Sequence, residues 1–248
     1  MKIKIINPNT TQAMTDSILK AAQKYKLPDT ELIAVSPKCG PDSIECFVDD
    51  YLAVPGVLKE IIDGDKKENV DAYIIACFGD PGLKAAREIT DKPVIGIAEA
   101  AIMAAEMLAP SFSILSVLDR SVKITEELVF SYGAERRCQS VRSTGLSVLE
   151  FDHNPEAGMA ALKREAELAV KEDGAECILL GCAGFVDFVE GLRKELGVPV
   201  LDGVVPAVKF AEALVGAGLS TSKSNTWKKP ERKEIKGFTM FDEGDLDF

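Results

Sequence analysis

Cys77 and Cys182 each end an apolar run of the same design. The first reads V-D-A-Y-I-I-A-C-F-G-D-P-G from Val70 to Gly82, and the second A-E-C-I-L-L-G-C-A-G-F from Ala175 to Phe185. Each thiol is followed by one residue and then a glycine, Gly79 or Gly184. The match continues downstream: Pro93-Val94-Ile95 and Gly96 follow the first cysteine, and Pro199-Val200-Leu201 and Gly203 follow the second. Self-similarity of this extent predicts two like half-domains, each presenting a cysteine at the carboxyl end of a strand. Ligands of open parallel α/β sheets bind at such ends. A thiol at the start of a helix is expected to shift towards thiolate, because unpaired N–H groups and the helix dipole favour the anion. The glycines let backbone approach a ligand closely, and N–H groups there can hold a carbonyl oxygen as it gains charge. Two thiols facing each other across a cleft can invert a carbon acid. One thiolate removes the proton and the opposite thiol returns one on the other face, without a cofactor. A single cysteine ending an apolar strand is ordinary core chemistry; repetition of the cysteine with its x-Gly is what favours catalysis.

The elements that must position these thiols alternate strand and helix. The first half predicts strands over Lys2 to Ile6, Glu31 to Val35, Val70 to Ala76 and Val94 to Ile97. Between them lie helices from Thr10 or Thr11 (as caps) to about Tyr25, over Tyr51 to Ile62 with Pro55 expected to start or kink it, over Leu83 to Ile89, and from about Glu99 to Leu108. The second half predicts strands over Phe112 to Val117, Arg137 to Thr144, Cys177 to Gly181 and Val200-Leu201. Its helices are Arg120 to Tyr132, Pro155 to Glu172, Val186 to Leu196 and Val205 to Val215. The strands read mostly as buried and non-alternating, which argues for mainly parallel sheets covered by helices on both faces. The fold class is therefore α/β, with two pseudo-symmetric half-domains of about four strands each and the site in the cleft between them. Residues 1–98 with 207–219 form the first half-domain, 99–206 the second, and 220–248 an extended tail, packed or partly disordered.

The totals exclude several function classes. A chain of 248 residues, 46% hydrophobic, has ample length for a soluble core. No apolar run is long enough to span a membrane, and the short apolar start at Met1 is no signal peptide, so a cytoplasmic protein is expected. A net charge of −11 without a basic patch disfavours nucleic acid. Six cysteines without a C-x-x-C pair, and His153 as the sole histidine, suggest thiols and give a metal site little support.

Five segments resemble the aspartate/glutamate/hydantoin racemase superfamily, and within it the hydantoin and allantoin racemase branch. They are Ile6-Asn7-Pro8-Asn9-Thr10 with Met14-Thr15, Ser43-Ile44-Glu45, Ala76-Cys77-Phe78-Gly79-Asp80-Pro81-Gly82, Gly96-Ile97-Ala98-Glu99-Ala100-Ala101 and Gly181-Cys182-Ala183-Gly184-Phe185. The resemblance implies a two-domain pseudo-symmetric fold and a cofactor-independent mechanism with Cys77 and Cys182 as the two bases. It also implies a homo-oligomer. Amino-acid racemases of the superfamily follow their cysteines with polar residues that grip an α-carboxylate; here Phe78-Gly79 and Ala183-Gly184 stand in those places. That difference points to a neutral cyclic ureide as substrate, with Phe78 or Phe185 covering a flat ring. Decarboxylases of the superfamily keep one cysteine of the two, so the pair favours racemisation. An aspartate- or glutamate-type racemase, a maleate-isomerase-like enzyme and a non-catalytic small-molecule binding protein are the alternatives.

The remaining candidates each have a plainer reading. Asn7 could hydrogen-bond the ring, or Asn-Pro-Asn is simply turn chemistry. Ser116, at the matching place in the second half, could act likewise or bond to backbone. Ser43 and Ile44 lie in a loop that could close over the cleft or be ordinary surface. Asp80 reads as a cap for the helix beginning at Leu83. Glu99 reads as structural or site-tuning. Cys39, Cys46 and Cys138 read as incidental, Cys177 as core, and His153 as a surface loop residue.

Overall fold

The computed structural model describes residues 1–242, 244 and 245, the side chain of residue 152 excepted. The first half alternates β1 (Lys2–Ile6), α1 (Gln12–Gln23), β2 (Glu31–Val35), α2 (Phe47–Asp63), β3 (Ala72–Ile75), α3 (Leu83–Ile89), β4 (Val94–Gly96) and α4 (Ile97–Leu108). The second half repeats the plan with β5 (Phe112–Ser116), α5 (Asp119–Ser131), β6 (Cys138–Ser143), α6 (Val148–His153), α7 (Pro155–Lys171) and β7 (Ile178–Leu180). A 3-10 turn over Ala183–Phe188, α8 (Val189–Leu196), β8 (Val200–Leu201) and α9 (Val204–Gly216) complete it.

The strands form two four-stranded parallel sheets, ordered β2-β1-β3-β4 and β6-β5-β7-β8, so the two halves share one topology. The central strands β3, β5 and β7 are buried along their whole length, as helices on both faces require. Helix α1 lies on the first sheet through Met14, Ile18, Ala21 and Ala22, a stripe at helical spacing. Two connections tie the halves together: α4 packs on α9 and reaches β7, while α9 packs on β3, β4 and α1.

Local structure departs from the sequence reading in four places. Thr11 stands at the N-cap of α1 but its hydroxyl does not cap it. It donates instead to the Asp42 carbonyl at 2.7 Å, and Thr10 donates to Pro41, so both fasten the loop before α2. Helix α2 starts at Phe47 and runs through Pro55, which leaves the Tyr51 carbonyl without its i+4 donor. His153 ends the short helix α6, which hydrophobic periodicity did not reveal. The segment after Cys182 first winds as a 3-10 turn, and the α-helix begins only at Val189.

Beyond α9 the described tail packs along the first half; residues 243 and 246–248 lie outside the described residues. Thr221 bonds the carbonyls of Asp91 and Lys92, Lys223 reaches those of Arg87 and Glu88, and Arg87 stacks over Trp227. Asp245 pairs with Lys59 and Lys66, which hold its carboxyl near 2. No helix among the described residues is long and apolar enough to cross a membrane.

Candidate active site

Strand β3 delivers Cys77 by way of Ala76, whose N–H still bonds the Ile6 carbonyl of β1 at 2.8 Å. Strand β7 delivers Cys182 by way of Gly181, whose N–H bonds the Leu115 carbonyl of β5 at 2.8 Å. Gly181 is required there, since a Cβ would lie 2.8 Å from that same oxygen. The two thiols line one cavity of about 690 Å³, its open mouth included. Its walls come from both halves: Asn9, Met14, Ile44, Glu45, Cys46, Asp50, Phe78 and Gly79 from the first, and Ser116, Ser121, Thr125, Leu128, Val148 and Ala183 from the second.

The two supports differ. After Cys77 the chain makes a tight turn closed by Asp80 N–H on the Cys77 carbonyl, with Asp80 itself left-handed at φ 48 and Gly82 at φ 74. Helix α3 begins only after this turn, so Cys77 does not sit on a helix N-terminus. Its thiol is pushed up rather than down: burial dominates, and charge on Cys182, Asp50 and Asp80 adds to it. The Gly79 N–H, donating to the sulfur, opposes that shift. Cys182 is extended and stands at the N-cap of the 3-10 turn, where Phe185 N–H bonds its carbonyl at 3.1 Å.

Asp80 is a cap, but for a different helix. Its carboxylate accepts from Ala98 N–H at 3.1 Å, Glu99 N–H at 2.9 Å and the Tyr132 hydroxyl at 2.6 Å, closing the start of α4. Gly96 makes room for it, because a Cβ would lie 2.2 Å from the Asp80 carboxyl carbon. Burial raises Asp80 to about 7 despite its three donors. Glu99 pairs with Arg87 through two bonds and lies outside the cavity lining.

Of the sequence candidates, Ile44, Phe78, Gly79, Ser116 and Ala183 line the cavity beside the two cysteines. Asn7, Ser43, Gly184 and Phe185 are outside its lining. Asn7 is buried with its amide N–H groups bound to Asn9, Thr15 and Thr11, and Asn9 takes the lining position instead. Phe185 has no exposed surface and packs 4.3 Å from Phe151, ring centre to ring centre. Core burial of such a ring is worth ~2–3 kcal/mol, so it does not turn out to cover a ligand. Gly184 supports Cys182 from the side: a Cβ there would lie 3.6 Å from the sulfur. In Ser116 the hydroxyl donates to Ser121, because Ser121 spends its own proton on the Leu118 carbonyl at 2.6 Å. Ser116 therefore offers the cavity a lone pair.

Several lining residues gave no usable sequence signal. Cys46 stands at the N-cap of α2 and lines the cavity, unlike Cys39, Cys138 and Cys177. Burial raises Cys138 to about 12 and Cys177 to about 11, as expected for packing thiols. Glu45 crosses the cleft mouth and accepts the Val148 N–H of α6 at 2.9 Å. Here a signal existed: Ser147-x-x-Glu150 is a capping-box pattern, and Glu150 does accept the Ser147 N–H at 2.8 Å. Asp50, on the first turn of α2, is raised by burial to about 6.

Comparison with known proteins matches residues 3–211 to the Asp/Glu/Hydantoin racemase family. A hydantoin racemase from Pseudomonas sp. (strain NS671) is 56% identical over 96% of this chain and 95% of its own. One from Rhizobium meliloti is 48% identical over 96% of this chain and 98% of its own. The solved allantoin racemase from Klebsiella pneumoniae superposes with a TM-score of 0.93 at 43% identity, covering 96% of both chains.

Proposed function

The chain belongs to the Asp/Glu/Hydantoin racemase family, and from that premise we propose that it is a cofactor-independent racemase inverting C5 of a hydantoin-type cyclic ureide, a 5-substituted hydantoin or allantoin. One observation carries the substrate class: among the described residues, the lining that holds Cys77 and Cys182 includes Glu45 and Asp50 but no Lys, Arg or His. The places after the cysteines where amino-acid racemases of the superfamily carry polar residues for an α-carboxylate hold Phe78-Gly79 and Ala183-Gly184 here, and the two carboxylates of the lining repel a further one. A neutral ring meets no such conflict. The relatives' names, hydantoin racemase and allantoin racemase, support the same class.

In this reading the half-domains 1–98 with 207–219 and 99–206 are the two walls, and the ring lies between the thiols. One cysteine, as thiolate, takes the C5 proton, and the electron pair moves onto the adjacent carbonyl oxygen. The other, as thiol, delivers its proton to the opposite face of C5. The first sulfur ends protonated and the second as thiolate, so the reverse reaction starts from that state. The Gly79 N–H stabilises Cys77 when it carries the charge. The N–H of Ala183, a lining residue at the open start of the 3-10 turn, suits the oxygen that gains charge. The C5–H is already acidified by its carbonyl, so general acid–base catalysis of ~10²–10⁴-fold is a large share of the acceleration required. A homo-oligomer belongs to the same reading; Met103, Met107 and Leu108, exposed on α4, support association.

The test is polarimetry of an L- or D-5-substituted hydantoin and of allantoin with the purified protein and no added cofactor. Loss of rotation, with deuterium entering C5 in D2O, is the expected result. Turnover of free aspartate or glutamate with none of either ureide would overturn the substrate class.

A further inference from the structure

Among the described residues the cleft holds a carboxylate that neither thiol chemistry nor folding employs. Asp50 projects from the first turn of α2 towards Gly79, and the ideal Cβ position of Gly79 lies 2.9 Å from Asp50 Oδ1 and 3.9 Å from Cys77 Sγ. The carboxylate oxygen and the sulfur thus flank the same empty point above the glycine. Its backbone N–H is committed to the Cys46 carbonyl at 3.0 Å. No donor and no cation among the described residues is directed at its carboxylate, and burial is the one cause of its raised affinity for protons. Among the described residues the fully buried carboxylates all have a structural assignment: Asp80 caps α4, Asp202 caps α9, Glu212 holds Leu27 N–H and Lys209, and Asp245 meets Lys59 and Lys66. A half-buried carboxylate left without a donor is costly. It is kept where a ligand supplies the donor.

A cyclic ureide supplies it. Its ring carries N–H groups next to the carbonyls and no negative charge, so it can offer a proton to Asp50 while C5 stays within reach of the thiols. We infer that Asp50 is a substrate-contacting, specificity-determining residue whose carboxylate accepts one ring N–H of the ureide on the Cys77 side of the cleft. The assignment rests on the ureide reading of the site. It also explains why position 79 is glycine: a side chain there would displace Asp50 from the ligand. The same carboxylate repels any substrate that brings its own carboxylate to that wall, so one residue both selects the ureide and rejects the amino acid.

A substitution cycle between protein and ligand tests the assignment. Wild type, Asp50→Ala and Asp50→Asn are assayed for racemisation of a 5-substituted hydantoin, its N1-methyl analogue and its N3-methyl analogue, after thermal melting has established that each variant is folded. A hydrogen bond to a charged acceptor corresponds to about 10- to 100-fold in affinity. In wild type, one of the two methylations should raise KM by about that factor while kcat changes less. In Asp50→Ala the parent hydantoin should show a similar rise in KM, and that same methylation should then cost almost nothing. Asp50→Asn, which keeps an acceptor without charge, should fall between. If both methylations multiply independently with Asp50→Ala, the assignment is wrong, because the acceptor and the N–H then do not meet. If wild type racemises none of the three ureides, the ureide reading fails and the assignment fails with it. If wild type racemises the parent and only the coupling is missing, the ureide reading stands and Asp50 alone is misassigned.

Discussion

On the Cys77 side, the vacant Cβ position of Gly79 is flanked by Asp50 Oδ1 and Cys77 Sγ; on the Cys182 side, that of Gly184 meets Cys182 Sγ alone within 4 Å among the described residues. The cysteine turns differ in the same sense. The Cys77 turn reaches across to the next helix, since Asp80 caps α4, whereas α9 is capped by Asp202 from its own strand end, through Val204 and Val205 N–H. The Cys182 turn is held instead by Phe185, sunk against Phe151 and Phe188. Strand, thiol and glycine are repeated; the groups around them, Asp50 and the Asp80 cap on one side and the Phe185 packing on the other, are not. That division suits inversion at one carbon of an asymmetric ring. In the proposed mechanism the thiols exchange roles between forward and reverse reactions and so must be alike. The proposed ring keeps one orientation throughout, so walls that hold it must be unlike.

The glycine pair probes this contrast most strongly. Gly79→Ala forces a methyl into contact with Asp50 at 2.9 Å, whereas Gly184→Ala meets only the sulfur, at an ordinary 3.6 Å. Overpacking of this kind costs ~1–3 kcal/mol. We expect kcat/KM of Gly79→Ala to fall roughly 10-fold or more and that of Gly184→Ala only a few-fold, where 1.4 kcal/mol corresponds to a factor of ten. Equal losses would mean that Asp50 does not distinguish the two sides.

A smaller effect concerns the Asp80 cap of α4. Asp80 is raised to about 7 from an ordinary 3.8, so the folded state holds its proton more tightly than the unfolded chain. Its contribution to stability is full below about pH 4, declines as pH rises to about 7, and is level above, with a slope of at most ~1.4 kcal/mol per pH unit. Asp50, raised to about 6, and Asp202, raised by burial, act in the same direction and are common to both proteins compared. Chemical denaturation from pH 5 to 8 should therefore show a shallower decline for Asp80→Asn than for wild type. Parallel curves would show that Asp80 holds no extra proton in the fold.

What the sequence disclosed follows from which interactions are local. Apolar central strands, the x-Gly after Cys77 and Cys182, and the recurring Pro-Val-Ile/Leu segments are local patterns, and they pointed to both sheets and to both thiols in one cleft. Asp80 lay next to the helix it was expected to cap but bonds residues eighteen and nineteen positions on, a choice made by the turn's left-handed φ of 48. Phe185 has the same composition signal as a lid residue and as core, and only packing separates them. Glu45 and Asp50 enter the cavity because the loop before α2 is fastened to Thr10 and Thr11, a tertiary contact without a spacing signature. Helix α6 was foreshadowed by Ser147-x-x-Glu150, too short a stretch for periodicity to register.

The most direct test of the two-thiol account is deuterium exchange at C5, followed separately for the L and D enantiomers of one hydantoin, with Cys77→Ser and Cys182→Ser. Each variant keeps one thiol, which faces the C5 proton of only one enantiomer. The account predicts that both variants lose racemisation by ~10²–10⁴-fold, that each still exchanges a single enantiomer without inverting it, and that the two variants exchange opposite enantiomers. Exchange of the same enantiomer by both, or racemisation at the wild-type rate by either, would contradict it.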